Sequence, residues 1–267
     1  MEQYQSHAVT DVRQLVVALR DLGRADAPTT LLPRVMSRVG LGDHYFPLAT
    51  PLGVVFVAYN GRGLSMVARA ETAVAFEHAF RARFARPIYA APEPPAALVD
   101  ALTRQLRGDA QVELRFDLRG LSEFERAVLL KALEIPRGEI RPYAWVAREI
   151  GHPGAVRAVG TALARNPIPL FIPCHRVVRS DGHIGNYRLG GSEAKRAVLM
   201  AEGVALDELA GLARAGVRYY GSATTHIYCF PTCRHARRIS EAHRVSFSSA
   251  AAAAAAGYRP CKVCRPA

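Results

Sequence analysis

Apolar residues recur at helical spacing over Val12, Leu15, Val16, Leu19 and Leu22, with Thr10 as a cap, and predict helix across residues 1 to about 45. The period then shortens. Val54-Val55-Phe56-Val57-Ala58-Tyr59 reads as a strand, Asn60-Gly61-Arg62-Gly63 as a turn, and Leu64 to Arg69 as the returning strand. Phe76, Phe80 and Phe84 share one face of a helix, and Pro87 to Pro95 is a proline-rich loop. Leu98, Leu102 and Leu106 mark a second helix, and Val112-Glu113-Leu114-Arg115-Phe116 a further strand. From Ser122 the helical period returns, with Phe124, Val128, Leu129 and Ala132 on one face. Tyr143 to Ile150, the turn Gly151-His152-Pro153-Gly154 and Ala155 to Arg165 have the lengths of a helix-turn-helix, a common pairing that by itself points to no function. Beyond Gly203 come a polar helix and a basic, cysteine-bearing tail.

With 267 residues, half of them hydrophobic, the chain can build two or three small cores. No apolar run reaches the roughly 18 residues that span a bilayer, and the alanine tract from Ala250 to Ala256 is too short. The polar start Met1-Glu2-Gln3-Tyr4-Gln5 has no signal-peptide pattern, so a cytoplasmic protein with no membrane partner is expected. Net charge is +12 with a pI near 10.0, almost all from arginine; Lys131, Lys195 and Lys262 are the only lysines. Guanidinium groups match phosphate geometry, which makes nucleic acid the first candidate partner. A genome that favours arginine codons accounts for the charge equally well. From Asp207 to Ala267 there are nine Arg or Lys against three Asp or Glu, so half the excess lies in this tail.

The five cysteines divide by spacing. Cys229 and Cys233, then Cys261 and Cys264, form C-x3-C and C-x2-C pairs, which is metal-ligand spacing. Cys174 stands apart, beside His175 in Pro173-Cys174-His175-Arg176-Val177. An imidazole next to a thiol can take its proton and leave a soft nucleophile. A buried cysteine in a strand is the alternative, since Phe171, Ile172, Val177 and Val178 are apolar.

The wider pattern around Cys174 resembles the O6-alkylguanine-DNA alkyltransferase family from about Phe116 to Gly203. It includes Arg119-Gly120-Leu121-Ser122-Glu123-Phe124, Ile135-Pro136-Arg137-Gly138-Glu139, Arg157-Ala158-Val159-Gly160, Asn166-Pro167, Gly185-Asn186-Tyr187 and Ala201-Glu202-Gly203. The resemblance implies an irreversible, single-turnover transfer of the alkyl group of O6-methylguanine to Cys174. His175 would be the base, Glu202 the carboxylate behind it, Asn166 the residue that ties the bend before the catalytic strand, and Tyr143 a donor to the target base. Arg157 would fill the space left by the flipped nucleotide. Small residues such as Ala155 and Gly160 would let the second helix approach the minor groove, with Ser180 also at the DNA. Val177, Gly185, Asn186 and Tyr187 would line the substrate pocket, with carbonyls near Cys174 and Val177 accepting from the guanine amino group. The partner implied is double-stranded DNA carrying O6-alkylguanine, met by a monomer.

The tail, with Thr224-Thr225-His226-Ile227-Tyr228-Cys229-Phe230-Pro231-Thr232-Cys233-Arg234 and Tyr258-Arg259-Pro260-Cys261-Lys262-Val263-Cys264, resembles the metal-binding domain of the Ada protein over roughly Val217 to Pro266. This implies one Zn2+ held by Cys229, Cys233, Cys261 and Cys264, with Cys229 as a second methyl acceptor from DNA methylphosphotriesters. A purely structural zinc site is the alternative. Two residues depart from the family pattern: His226 replaces a usual glycine, and Phe230 a common arginine. In Ada proteins the module precedes the alkyltransferase and leads into a regulator domain. Here it follows the alkyltransferase, which favours direct repair over a regulator of the alkylation response, and the presence of Cys174, His175 and Glu202 favours repair over a sensor, which needs no thiol. Tyr143 and Arg157 speak against a cysteine hydrolase.

The expected architecture is α+β. A mixed α/β scaffold domain spans residues 1–115, and a helical, winged-helix-like alkyltransferase domain with the helix-turn-helix spans 116–206. A small zinc module spans 207–267.

Overall fold

In the computed structural model, residues 28–109, 111–180 and 183–266 are described. The helix expected over Val12 to Leu22 lies outside them. Among the described residues the N-terminal helical expectation is met by α1 (Leu31–Arg38) and ends before Asp43, where a strand begins.

Four strands form the first sheet: β1 (Asp43–Thr50), β2 (Gly53–Asn60), β3 (Gly63–Ala68) and β4 (Ile88–Ala90), in the order β3-β2-β1-β4. β1 and β2 are an antiparallel hairpin with Thr50 opposite Gly53, and β4 joins β1 in parallel. Side chains alternate across the sheet, as strand geometry requires. Tyr45, Ala58 and Met66 pack against Phe76 and Phe80 of α2 (Ala73–Phe84), whereas Phe46, Leu48, Val55 and Val57 face the large central core. α3 (Ala96–Arg107) joins that core through Leu102. The strand expected at Val112 to Phe116 does not form; Phe116 makes only an isolated bridge to Leu64. A buried polar knot ties the sheet to the next module. Asn60 Nδ2 donates to Asp43 and Asp117 at 2.9 and 2.8 Å, and Arg86 pairs with both carboxylates at 3.1 Å.

α4 (Glu123–Leu133) starts in a capping box: the Ser122 hydroxyl accepts from Glu125 N, and the Glu125 carboxylate accepts from Ser122 N. α5 (Tyr143–Glu149) and α6 (Val156–Ala164) are the expected helix pair, each a residue or so shorter than the pattern suggested. A two-residue strand, β5 (Arg141–Pro142), enters α5 and pairs in parallel with β6 (Val177–Val178). α7 (Gly191–Ala201) and α8 (Leu206–Arg214) follow; Leu199, Val204 and Leu206 close a small core with Val178.

The tail holds a second sheet of β7 (Tyr219–Ser222), β8 (Ile227–Cys229), β9 (Arg244–Phe247) and β10 (Arg259–Pro260), in the order β10-β8-β7-β9. The alanine tract forms α9 (Ala250–Ala255), capped by Ser249. Cys229, Cys233, Cys261 and Cys264 belong to the same apolar cluster as Trp145, Val146 and Phe171. Among the described residues no helix is long and apolar enough to cross a membrane.

Candidate functional site

The loop before Cys174 is closed by Asn166, which is fully buried. Its Nδ2 donates to Ile172 O at 3.0 Å, and its Oδ1 accepts from Ile168 N at 2.9 Å. Inside that loop Leu170 is held at φ +75°, a left-handed conformation that costs an L-residue about 1–2 kcal/mol. The asparagine satisfies the backbone groups that make this bend tolerable. Cys174, His175 and Arg176 then form a single 3-10 turn rather than a strand; regular pairing starts only at Val177.

Cys174 is 6% exposed and His175 is 1% exposed. Burial raises the Cys174 thiol above its usual range, opposed by the Asn166 side chain, the Lys195 charge and the backbone N–H groups of Cys174 and His175. The His175 ring engages the Glu202 carboxylate. Its Nε2 lies 3.0 Å from Glu202 Oε1, at the C-terminal end of α7. Arg176 holds the same carboxylate through Nε at 2.9 Å and Nη2 at 2.8 Å, while its Nη1 donates to Ile135 O at 2.6 Å. Burial pushes the Glu202 carboxyl up, but the His175 and Arg176 bonds outweigh it and hold the group at about 2. Burial pushes His175 down against the pull of Glu202. An anionic partner at Nε2 keeps the proton of the neutral ring on that nitrogen. The Nδ1 lone pair is then the basic atom; it is buried and has no hydrogen-bond partner among the described residues.

A cleft of about 970 Å3 is lined by Tyr143, Arg157, Gly160, Ser180, Gly185 and Asn186 among others. The Tyr143 ring sits between two glycines. A methyl group at Gly160 would lie 3.9 Å from its ring, and one at Gly185 would lie 3.4 Å from its hydroxyl. Burial raises the Tyr143 phenol, and proximity to Cys174 adds to that. Ala155 is the N-cap of α6, and Arg157, the second residue of that helix, is exposed. Six of the expected residues thus share the cleft, while Cys174, His175 and Asn166 are buried and, with Glu202, do not line it. Tyr187 departs from its expected place: it is buried edge-on to His175, with ring centroids 5.8 Å apart, instead of lining the cleft.

Two functional side chains escaped the sequence pattern. Arg176 lies inside the Pro173–Val177 run with no role assigned to it from the sequence, yet it is the second partner of Glu202. Lys195 reads as a polar position of α7, yet it is 1% exposed and its Nζ donates to Val177 O at 2.7 Å. Burial lowers its pKa to about 8, and Cys174 pulls it back up. The Val177 carbonyl, expected to meet the guanine amino group, already accepts this bond.

In the tail the four cysteine sulfurs lie within 4.8 Å of one another, all buried. Tetrahedral zinc with Zn–S near 2.3 Å places its sulfurs about 3.8 Å apart, so the cluster fits Zn2+. Cys229 and Cys261 front a pocket of about 510 Å3 rimmed by Arg238, Arg259 and Lys262. His226 adopts φ +51°, the left-handed conformation that glycine favours, and its ring rests on Tyr258 at 5.0 Å. Phe230 is buried under the Arg141 guanidinium, 5.2 Å away, so this position serves the contact between modules.

Comparison with known proteins agrees with this arrangement. Residues 123–204 match the family model of the 6-O-methylguanine DNA methyltransferase DNA-binding domain, and residues 213–267 match the metal binding domain of Ada. A methylated-DNA–protein-cysteine methyltransferase of Mycobacterium tuberculosis is 35% identical over 162 residues, covering 60% of this chain and 92% of the relative. One from Methanothermobacter thermautotrophicus is 43% identical over 122 residues, covering 43% of this chain and 66% of the relative. The crystal structure of Mycobacterium tuberculosis OGT in complex with DNA aligns with a TM-score of 0.51 at 34% identity, over 62% of this chain and 98% of that one. The chain belongs to the methylated-DNA–protein-cysteine methyltransferase family of DNA-repair alkyltransferases and carries an Ada-type zinc-binding module.

Proposed function

We propose that this protein binds duplex DNA, takes the O6-methylguanine nucleotide out of the stack into the cleft at Tyr143, and transfers the methyl group irreversibly to Cys174. The observation that carries this reading is the buried Cys174–His175–Glu202 group, with Tyr143 of the cleft close enough to Cys174 for the thiol to raise the phenol. Burial keeps the resting thiol protonated and the imidazole neutral, so the pair is poised rather than ionised. His175 Nδ1 takes the thiol proton through a bridging water, and the imidazolium that forms is stabilised by Glu202. The Cys174 sulfur then bonds to the methyl carbon as the carbon–O6 bond breaks, its electron pair passing to the guanine. Tyr143, kept protonated by burial, donates to the base as negative charge develops. Arg157 occupies the space the nucleotide leaves in the duplex. The thioether product is not a leaving group, so each molecule acts once.

For the tail, the pocket in front of Cys229 supports transfer from a methylphosphotriester to that sulfur. Bound Zn2+ keeps the four sulfurs ionised. Arg238, Arg259 and Lys262 would hold the flanking phosphates, and methylation of Cys229 would remove one negative charge from the site and tighten DNA binding.

The test is peptide mapping by mass spectrometry after incubation with a duplex containing one O6-methylguanine. One methyl on the Cys174 peptide is expected, and transfer that survives Cys174→Ser would refute the assignment. A methylphosphotriester duplex addresses Cys229 in the same way, where an unmodified Cys229 peptide would leave a structural zinc site.

A further inference from the structure

The zinc module grips the catalytic module at the loop Gly138-Glu139-Ile140, which leads into β5. Thr232, one residue before the ligand Cys233, accepts from Ile140 N at 3.1 Å and donates to Ile140 O at 3.3 Å through one hydroxyl. Arg234, one residue after Cys233, donates its backbone N–H to Glu139 Oε1 at 2.9 Å. Arg237 donates to Gly138 O and braces Thr232 O at 3.1 Å through Nε. Three successive loop residues are therefore held from both sides of one zinc ligand. Thr232, Glu139 and Arg141 are all buried, and Glu139 and Arg141 form an ion pair whose guanidinium lies over the Phe230 ring.

The gripped loop runs straight into the reacting parts. Arg141 and Pro142 pair with Val177 and Val178, immediately after the Cys174–Arg176 turn. Tyr143, the next residue, opens α5 and lines the cleft. Tyr143 thus follows Ile140 by three positions, and one strand pairing separates the loop from Cys174.

We infer that Thr232 is a positioning residue for alkyl transfer at Cys174: it holds the Ile140–Tyr143 segment in register from the zinc-bound loop, so that metal loading of the tail sets the transfer rate. The inference rests on the reading of Cys174 as the acceptor. The loop from Cys229 to Arg237 carries two of the four ligands and lies between strands of only two to four residues, so its own sheet cannot hold it. Metal binding supplies that rigidity, because such sites couple ligation to folding. A shift of about 1 Å in reacting groups can cost about 100-fold in rate.

The experiment uses the full chain loaded with zinc, a duplex bearing O6-methylguanine, and single-turnover rates over a range of DNA concentrations. Thr232→Val keeps the shape of the side chain and removes the hydroxyl; Thr232→Ser keeps the hydroxyl. Thr232→Val is expected to slow transfer at saturating DNA about tenfold, as the loss of a buried hydrogen bond implies. Zinc content and the half-saturating DNA concentration stay unchanged, hydrogen exchange at the Ile140 amide speeds up, and Thr232→Ser restores the rate. Chelator-stripped wild-type protein shows at least the same fall, reversed by added zinc. A zinc-loaded Thr232→Val protein that reacts at the wild-type rate, or a serine variant as slow as valine, overturns the inference. Should Thr232→Val fail to hold zinc, the stripped wild-type protein decides, and an unchanged rate there overturns it. Loaded wild-type protein that leaves Cys174 unmodified refutes the acceptor reading instead.

Discussion

Glu202→Gln isolates what the buried carboxylate contributes. The side chain is bonded to His175 at 3.0 Å and to Arg176 at 2.8 and 2.9 Å, and its pKa falls from the ordinary 4.5 to about 2. Every tenfold change in proton affinity is worth about 1.4 kcal/mol, so the ionised form stabilises the fold by about 3 kcal/mol. That matches the roughly 3–5 kcal/mol lost when one partner of a buried ion pair is removed. Because the folded pKa is depressed, this stability is fully present above pH 4.5 and disappears as pH falls toward 2. Glutamine retains an oxygen for His175 but no charge. Urea unfolding, followed through the single tryptophan, Trp145, in the catalytic core, should show the variant about 3 kcal/mol less stable at pH 7. The difference should have narrowed by roughly half near pH 3. Methyl transfer should slow about 10- to 100-fold, since the imidazolium loses a charge-assisted partner. A destabilisation below about 1 kcal/mol at pH 7, or an equal one at pH 7 and pH 3, would refute the reasoning.

Asn166→Ala leaves the Ile168 N–H buried without a partner and leaves Ile172 O with only its bond from Cys174 N, and should cost about 1–3 kcal/mol in denaturant unfolding. Lys195→Met removes a buried ammonium whose pKa is lowered to about 8. The unfolded chain binds that proton more tightly, so wild-type stability should rise relative to the variant between about pH 8 and 10.5, as paired unfolding curves would show. Arg157→Ala should slow transfer from duplex DNA far more than from free O6-benzylguanine, because only a duplex has a gap to fill; equal slowing would make Arg157 an ordinary phosphate contact. Metal removal by a chelator should expose Cys229, Cys233, Cys261 and Cys264 to a thiol reagent before Cys174 reacts, a sequence that peptide mapping resolves.

Local chemistry in the sequence reached far into this protein. The PCHRV run marked Cys174 and His175, the family resemblance of its flanking motifs singled out Asn166 and Glu202, and cysteine spacing marked the four thiols that the fold gathers into one cluster. Helical periods placed α2, α3 and α4, and segment length with turn chemistry placed α5 and α6, since both signals are local. β1 was not legible: Pro47 interrupts its pattern, and only pairing with β2 and β4 makes it a strand. The reverse holds at Val112 to Phe116, where an alternating pattern found no strand to pair with beyond Leu64. Nor can periodicity tell which polar side chain on a helix or within a motif meets a buried acceptor. Arg176 and Lys195 carry ordinary sequence signatures, and only the packing of α7 against the Cys174 turn makes one a partner of Glu202 and the other a buried donor to Val177. The grip of Thr232 on Ile140 joins residues 92 apart. The sequence by itself determined which chemical groups the chain owns and which short segments hold them. Tertiary structure alone decided their orientation, their burial and the joining of zinc module to catalytic core, because these depend on contacts between segments that no local period encodes.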